Sequence, residues 1–294
     1  MTEFRDLVYK LSQIGVSYKF SKTIQKMYNY TQNCVLYEDE LSNWFESNQG
    51  LKQGCILSPL LFSLYINDLS ELIGGGVSLG DMCINALLYA DDIVLIAERP
   101  RQLQLMINRL SVYCSERQLT VNMSKSQIMI MKRGGGVRRS DEFWTYNNIP
   151  IEITNSYKYL GVLITPSLNL NAYFKEKTSQ CKAKIFSIWQ DLIENPYINF
   201  QAKVELFNSV CRSTICYSGQ VFGYRAHEEI DKIQRFFIKR VLKIPSSSPN
   251  YLMTTECGLA PMNLFCLKLH TNYIFKILFN PLSTEQHFFL DFYD

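Results

Sequence analysis

The run Leu87-Leu88-Tyr89-Ala90-Asp91-Asp92-Ile93-Val94-Leu95-Ile96-Ala97 sets two adjacent carboxylates between two apolar flanks. Ile84–Tyr89 and Ile93–Ala97 each have strand length, and the polar centre between them predicts a buried β-hairpin with Asp91 and Asp92 at its tip. Two readings of that tip compete. Aspartate is favoured in solvated turns. At the tip of an apolar hairpin, however, a buried carboxylate cannot stay unpaired, and a divalent cation is the usual compensation. Phosphoryl-transfer enzymes of the two-metal type use such carboxylates to hold ions about 3.5–4 Å apart.

Outward from the hairpin, Pro100 opens a helix whose Leu103, Met106, Ile107, Leu110 and Cys114 form one stripe suited to covering a sheet face. Upstream, Leu7, Leu11, Ile14 and Tyr18 recur at helical spacing with a break at Gly15, which predicts a helix pair over Thr2–Tyr30. Asn33–Tyr37 and Ser42–Phe45 then flank the acidic Glu38-Asp39-Glu40 as two short strands and a turn. Ser58-Pro59 caps an apolar helix that runs to about Ile73 and ends at Gly74-Gly75-Gly76. Downstream come strand candidates at Gln127–Met131, Phe143–Tyr146, Ile149–Thr154 and Tyr157–Ile164, with a loop at Gly134-Gly135-Gly136. After Pro166 the pattern is helical, through segments near 170–194, 199–215, 226–244 and 260–280. The predicted class is therefore α+β, with residues 1–165 forming the mixed domain and 166–294 an all-α one.

Composition narrows the class of function. With 294 residues, 47% hydrophobic and 19% charged, the chain reads as an ordinary folded protein, which excludes disordered and fibrous classes. No run of about 18 apolar residues predicts a membrane span, and Glu3 and Asp6 stand where a secretory signal needs a basic start. Nine cysteines, an odd number at irregular spacing, suit buried free thiols in a reducing compartment better than a disulfide framework. The expected location is intracellular, cytoplasmic or nuclear. The net charge of +3 lies wholly after residue 165 and is too small to prove a polyanion partner.

The hairpin and its surroundings resemble the reverse transcriptases of non-LTR (LINE-type) retrotransposons. Leu87–Ala97, with Tyr89-Ala90-Asp91-Asp92 at its centre, is similar to that family's metal-binding hairpin. Gly50-Leu51-Lys52-Gln53-Gly54-Cys55-Ile56-Leu57-Ser58-Pro59-Leu60-Leu61-Phe62, continuing to Tyr65-Ile66-Asn67-Asp68-Leu69, resembles its template and nucleotide motif. Cys114 followed by Leu119-Thr120-Val121-Asn122 and Lys125 resembles the next motif, and Tyr157-Lys158-Tyr159-Leu160-Gly161-Val162 the primer-grip strand. The order of the four is the family's own.

The resemblance implies a palm, an antiparallel sheet backed by helices, followed by a helical thumb. It implies an RNA-directed DNA polymerase using Mg²⁺, an RNA template, a DNA primer and deoxynucleoside triphosphates. Asp91 and Asp92 become metal ligands and catalytic groups. Gln53, Gly54 and Tyr89 lie against template base or incoming nucleotide, where a glycine allows close backbone approach. Lys125 protonates or stabilises the departing pyrophosphate, unless it is a solvated lysine after a strand. Leu160 and Gly161 support the primer end, although a tight sheet turn explains the glycine equally well. Ile56 stands where the family usually has proline. The family's first motif supplies a further aspartate just before a helix like Phe4–Ile14, so the expectation is that it falls at or before Met1 and that this chain is inactive alone. Asp6, the nearest acid, belongs to the helical pattern. Endonuclease and RNase H portions have no candidate segment. A non-catalytic nucleic-acid-binding module or an inert remnant is the rival expectation.

In the helical part, Ile230, Ile233, Phe237, Val241 and Ile244 form an apolar stripe, while Lys232, Arg235, Lys239 and Lys243 form a basic one on roughly the opposite side. By the resemblance this helix belongs to the thumb and meets duplex phosphates; a solvated basic face is the alternative. Cys211, Cys216, Cys257, Cys266 and His270 lack the paired spacing of a zinc finger and are expected as buried thiols with an unassigned histidine. His227 and His287 gain no partner from the pattern.

Overall fold

A computed structural model of the chain describes residues 2–28, 31–47, 50–132, 142–251 and 255–279. The chain divides into two compact units, Met1–Ser126 with Arg138–Glu152, and Gln127–Val137 with Ile153–Asp294. The Gly134–Gly136 loop, His287 and residue 280 lie outside the described residues.

The first unit opens with α1 (Thr2–Gln13) and α2 (Tyr18–Tyr28), the predicted pair broken at Gly15. Leu7, Leu11 and Ile24 face inward onto α3 (Ser58–Ile66), while Ile14 and Tyr18 stay exposed. Between α2 and α3 stands a nested hairpin, with β1 (Thr31–Asn33) on β4 (Phe45–Ser47) and β2 (Leu36–Tyr37) on β3 (Glu40–Leu41). Its tip is Glu38-Asp39, both with positive φ as a type I′ turn requires.

The predicted helix to Ile73 is two helices. α3 ends at Ile66, and α4 (Leu69–Ile73) begins after Asn67-Asp68. The break turns Asp68 toward three partners described below. Ser58 is not the cap either: Leu57 occupies that position without a side-chain bond, and Ser58 Oγ instead donates 2.7 Å to the Lys52 carbonyl. Next come β5 (Val77–Leu79) paired with β6 (Met82–Ile84), and β7 (Ala86–Tyr89) paired with β8 (Asp92–Leu95). α5 (Pro100–Glu116) buries Met106, Ile107, Leu110, Tyr113 and Cys114, and its cluster receives Leu88, Ile93 and Leu95 from β7 and β8. A two-stranded ladder has too little surface to stand alone, so this helix supplies the core the hairpin lacks.

β9 (Gln127–Met129) pairs with β12 (Glu152–Thr154), β10 (Thr145–Tyr146) with β11 (Ile149–Pro150), and β13 (Tyr157–Tyr159) with β14 (Val162–Ile164). Tyr157–Ile164 is thus a hairpin rather than one strand, because Leu160 and Gly161, with φ of 46° and 80°, make a two-residue turn. Among the described residues every strand pairs in twos, giving small antiparallel ladders instead of one continuous sheet.

The second unit is mainly helical. It contains α6 (Asn171–Ser187), a π-helical turn at Trp189–Ile193, α7 (Phe200–Phe207), a second π turn at Asn208–Arg212, α8 (Ser213–Ile215), α9 (Gly219–Phe222), α10 (Glu228–Val241) and α11 (Met262–Phe279). Its core joins Tyr173, Phe174, Cys181 and Ile185 of α6 to Ile230, Ile233 and Phe237 of α10 and Cys266 of α11. α9 went unread in the sequence. Its Gly223 neighbour lies so close to α11 that a Cβ there would sit 2.1 Å from the Cys266 carbonyl oxygen. No helix among the described residues is long and apolar enough to cross a membrane.

Candidate active site

The register Tyr89↔Asp92, Leu88↔Ile93, Leu87↔Val94 settles which side chains share a face of the central hairpin. Leu88, Ile93 and Leu95 point into the α4–α5 core. Tyr89 and Asp92 lie on the other face with Leu87 and Val94, and that face is open, Tyr89 being 63% exposed and Leu87 41%. The expectation of a buried hairpin therefore holds for one face only. Period-two alternation was hidden because Leu87, Tyr89 and Val94 are themselves apolar.

Asp91 and Asp92 are both exposed, so no burial penalty forces a counter-ion on them. Their setting is distinctive in another respect. The turn is Ala90-Asp91, with positive φ (49°) at the first residue alone, the II′ pattern. The β5–β6 turn, Gly80-Asp81, repeats that pattern with glycine in the same place. Alanine at φ 49° carries a steric cost that glycine does not. Among the described residues, no three His, Cys, Asp or Glu side chains converge as a metal-binding group.

Gln53 and Gly54 are exposed in a turn before α3. Gly54 has φ 81°, and a Cβ there would meet nothing within 4 Å, so its backbone is bare on the solvent side. The turn is braced from below. Tyr28 Oη and Ser58 Oγ share a 3.0 Å hydrogen bond, Tyr28 Oη donates to Cys55 Sγ at 3.6 Å, and Lys52 Nζ sits 5.7 Å from the Tyr28 ring centroid. The bond from Tyr28 pulls the Cys55 thiol below its usual pKa, while burial pushes the Tyr28 hydroxyl up.

Lys125 is exposed in a turn that Asn122 organises, its Oδ1 accepting from Ser124 N at 3.1 Å and Ser124 Oγ at 2.7 Å. These motifs share a foundation. Leu51 and Leu57 beside Gln53, Leu88 of the hairpin, and Leu119 ahead of Lys125 all pack on one cluster built from Leu7, Leu11, Ile24, Tyr28, Leu61, Tyr65 and Ile66.

The remaining candidates belong to the second unit. The Leu160-Gly161 turn is held by Tyr217, whose hydroxyl donates 2.8 Å to the Leu160 carbonyl and whose ring lies 3.2 Å from where a Gly161 Cβ would be. On α10, Ile230, Ile233 and Phe237 are buried as the stripe predicts. The basic residues are engaged within the chain: Lys232 pairs with Glu229 at 2.7 Å, Arg235 with Glu228, and Lys239 Nζ donates to the Ser246 and Ser248 carbonyls at 2.7 and 2.6 Å. Lys243 lies past the helix, at φ 54°, where Ile244 N bonds Lys239 O at 2.9 Å and Lys243 N bonds Arg240 O at 3.2 Å, a Schellman end.

Residues 3–164, which hold the hairpin, the Gln53 turn and the Lys125 turn, match the family model described as reverse transcriptase (RNA-dependent DNA polymerase). The chain belongs to the reverse transcriptase family. That gives the matched region the reverse-transcriptase fold, in keeping with its mixture of helices and small antiparallel ladders. Its relatives come from non-LTR retrotransposons. It is 25% identical over 219 residues to the RNA-directed DNA polymerase from mobile element jockey of Drosophila funebris, covering 71% of this chain and 23% of that protein. It is 24% identical over 232 residues to the Pol polyprotein of retrotransposable element R2 of Popillia japonica (74% and 31%) and 26% identical over 258 residues to that of R2DM of Drosophila melanogaster (81% and 23%). The chain spans about a quarter of the length of the curated relatives it matches.

One further cluster in the matched region has no signature in the sequence. Asp68 accepts from Lys10 Nζ at 2.6 Å, Arg117 at 2.7 Å and Tyr113 Oη at 2.7 Å. Burial raises the Asp68 carboxyl, but the hydrogen bonds from Lys10 and Tyr113 and the charges of Lys10 and Arg117 outweigh it and hold the group below the usual carboxylate range. The Arg117 guanidinium stacks 4.0 Å from the Tyr113 ring centroid. The cluster ties α1, α3, α4 and α5 together beneath the hairpin's core. Asp68 stood inside a quoted motif, yet its partners are 45 to 58 residues away and no local pattern points to them.

Proposed function

We propose that this chain supplies the metal-holding palm region and a thumb of an RNA-directed DNA polymerase of a non-LTR retrotransposon, with residues 1–165 as palm and 166–294 as thumb. The observation that carries it is the strained turn: a non-glycine residue at positive φ holds Asp91 and Asp92 at the tip of a hairpin whose open face also presents Tyr89. The donor set fits Mg²⁺ in kind, being hard carboxylate oxygens. Asp91 and Asp92 would hold it, and its chemistry would be activation of a primer 3′ hydroxyl and stabilisation of the leaving oxygen.

The chain's own residues then have separate tasks. Tyr89 and the Gln53-Gly54 turn offer a ring and a bare backbone against a base or sugar. Lys125 lies on the same foundation and stabilises the charge that develops on departing pyrophosphate. The Leu160-Gly161 turn, stiffened by Tyr217, positions the primer end. Lys232, Arg235, Lys239 and Lys243 are assigned to duplex phosphates. Template RNA, DNA primer and deoxynucleoside triphosphates are the partners this reading requires.

Among the described residues no third carboxylate joins Asp91 and Asp92 as a metal-binding group, and we expect the 294-residue chain by itself to extend a primer on poly(rA)·oligo(dT) with Mg²⁺ at near-background rates. That shortage favours a second reading, a nucleic-acid-binding module without turnover. A chimera in which this chain replaces the matching part of the jockey relative separates the two. Asp91-dependent extension, falling by about 10²-fold or more in Asp91→Asn, supports the polymerase reading. A chimera that extends equally well with Asp91→Asn removes the metal assignment.

A further inference from the structure

The accounting of charge on α10 leaves an unexpected remainder. Lys232, Arg235 and Lys239 already have partners within the chain, whereas among the described residues no carboxylate pairs with Arg240 on α10 or Lys182 on α6. Both are exposed, and both face aromatic rings. The Arg240 guanidinium lies 5.1 Å from the Phe186 ring centroid, 5.1 Å from that of Trp189 and 5.9 Å from that of Phe236, and Lys182 Nζ lies 5.1 Å from that of Phe236.

We propose that Phe186, Trp189, Phe236, Lys182 and Arg240 form a binding surface for a single-stranded polynucleotide. The inference rests on the nucleic-acid role given above but names a different surface and a different form of nucleic acid. Two features of the patch select the occupant. Its two cations have no carboxylate partner among the described residues, which suits a phosphate backbone. Its rings are splayed, Phe186 to Phe236 at 72° and Phe186 to Trp189 at 50°, so they present separate faces instead of one stack. Bases inside a duplex are stacked on one another and cannot reach such faces, whereas unpaired bases can. Phe186, 47% exposed, offers the open ring, and the planar Arg240 guanidinium offers a second stacking plane beside it. Trp189, partly buried against the core with its ring 6.4 Å from that of Phe186, opens the π-helical turn Trp189–Ile193, and such turns recur at functional positions.

The test is fluorescence anisotropy of a labelled 12-nucleotide single strand, as DNA and as RNA, with the full chain and its Phe186→Ala and Arg240→Gln variants over a salt series. Phe186→Ala should weaken binding by about 5- to 100-fold. Arg240→Gln, at an exposed position that leaves the core untouched, should flatten the log–log salt slope by about 0.7. Quenching of tryptophan fluorescence on addition of the strand should be smaller in Trp189→Phe. Parent affinity and slope retained in both Phe186→Ala and Arg240→Gln would overturn the proposal, as would a parent that binds no single strand, or an equal loss by Phe186→Ala on an RNA–DNA duplex. None of those results touches the Asp91 dependence of the chimera, so the polymerase reading stands or falls separately.

Discussion

Ala90 and Asp68 show opposite ways in which a single residue serves the hairpin. Ala90 holds a φ of 49° that glycine occupies in the sister turn at Gly80, so Ala90→Gly should stabilise the chain by about 1 kcal/mol, minus the greater freedom glycine has when unfolded. A denaturant midpoint that falls in Ala90→Gly would show that the turn is unstrained. In the chimera the same change should lower turnover, because a slack turn no longer fixes the two carboxylates. Asp68 stabilises by charge. With its carboxyl lowered in the folded state, its contribution is complete above the unfolded value of about 4 and is lost as pH falls through the folded one. Asp68→Asn should therefore cost about 2 kcal/mol at pH 7, a figure held down because the side chain is one-third exposed, and should flatten the stability profile below about pH 4. Urea unfolding of both proteins at pH 7 and pH 3 checks this; an equal gap at the two values would mean that Asp68 charge is not what holds the cluster.

Among the elements, α10 shows how far periodicity carries. Steps of three and four located its buried face, since Ile230, Ile233 and Phe237 fall in the core of the second unit. The opposite face was legible as basic but not as occupied. Glu229 sits one turn from Lys232 and Glu228 two turns from Arg235, and the Ser246 and Ser248 carbonyls are brought round by the loop that follows the helix. Four free lysines and arginines would give a salt slope of about 3.6 for duplex binding, at roughly 0.9 each. With Lys243 unpaired among the described residues, Lys232 in an exchangeable exposed pair and the others held, replacing all four by Gln should flatten the slope by only about 1 to 2. Anisotropy titrations of an RNA–DNA hybrid across salt measure it, and a change near 3.6 would show that the internal pairs dissolve on binding. β7 and β8 teach the complementary lesson, because apolar residues on both faces disguised an open face as a buried one.

For the molecule as a whole, cysteine chemistry offers a simple check on the packing. Cys114, Cys181, Cys211, Cys216 and Cys266 are buried, Cys83 is exposed, and Cys55 has a thiol favoured toward the thiolate by Tyr28. Thiol titration of the folded chain should label Cys83 and Cys55 first and leave those five unlabelled until denaturant is added; rapid labelling of all nine would refute the cores described. The sequence by itself determined the family, the helix and strand types along most of the chain, the Asp91-Asp92 tip and the inward face of α5 and α10. Each of these depends on neighbours within a few residues, where periodicity and turn chemistry act. Only the tertiary structure decided that the hairpin has an open face and that Asp68 gathers Lys10, Tyr113 and Arg117. It alone showed that three cations of the basic stripe are already satisfied and that Arg240 lies among aromatic rings. The Asp68 contacts cross 45 to 58 residues of chain, where one-dimensional spacing carries no information, and even the stripe's partners, three to nine residues away, are reached only because the backbone and side chains fold toward them rather than toward solvent.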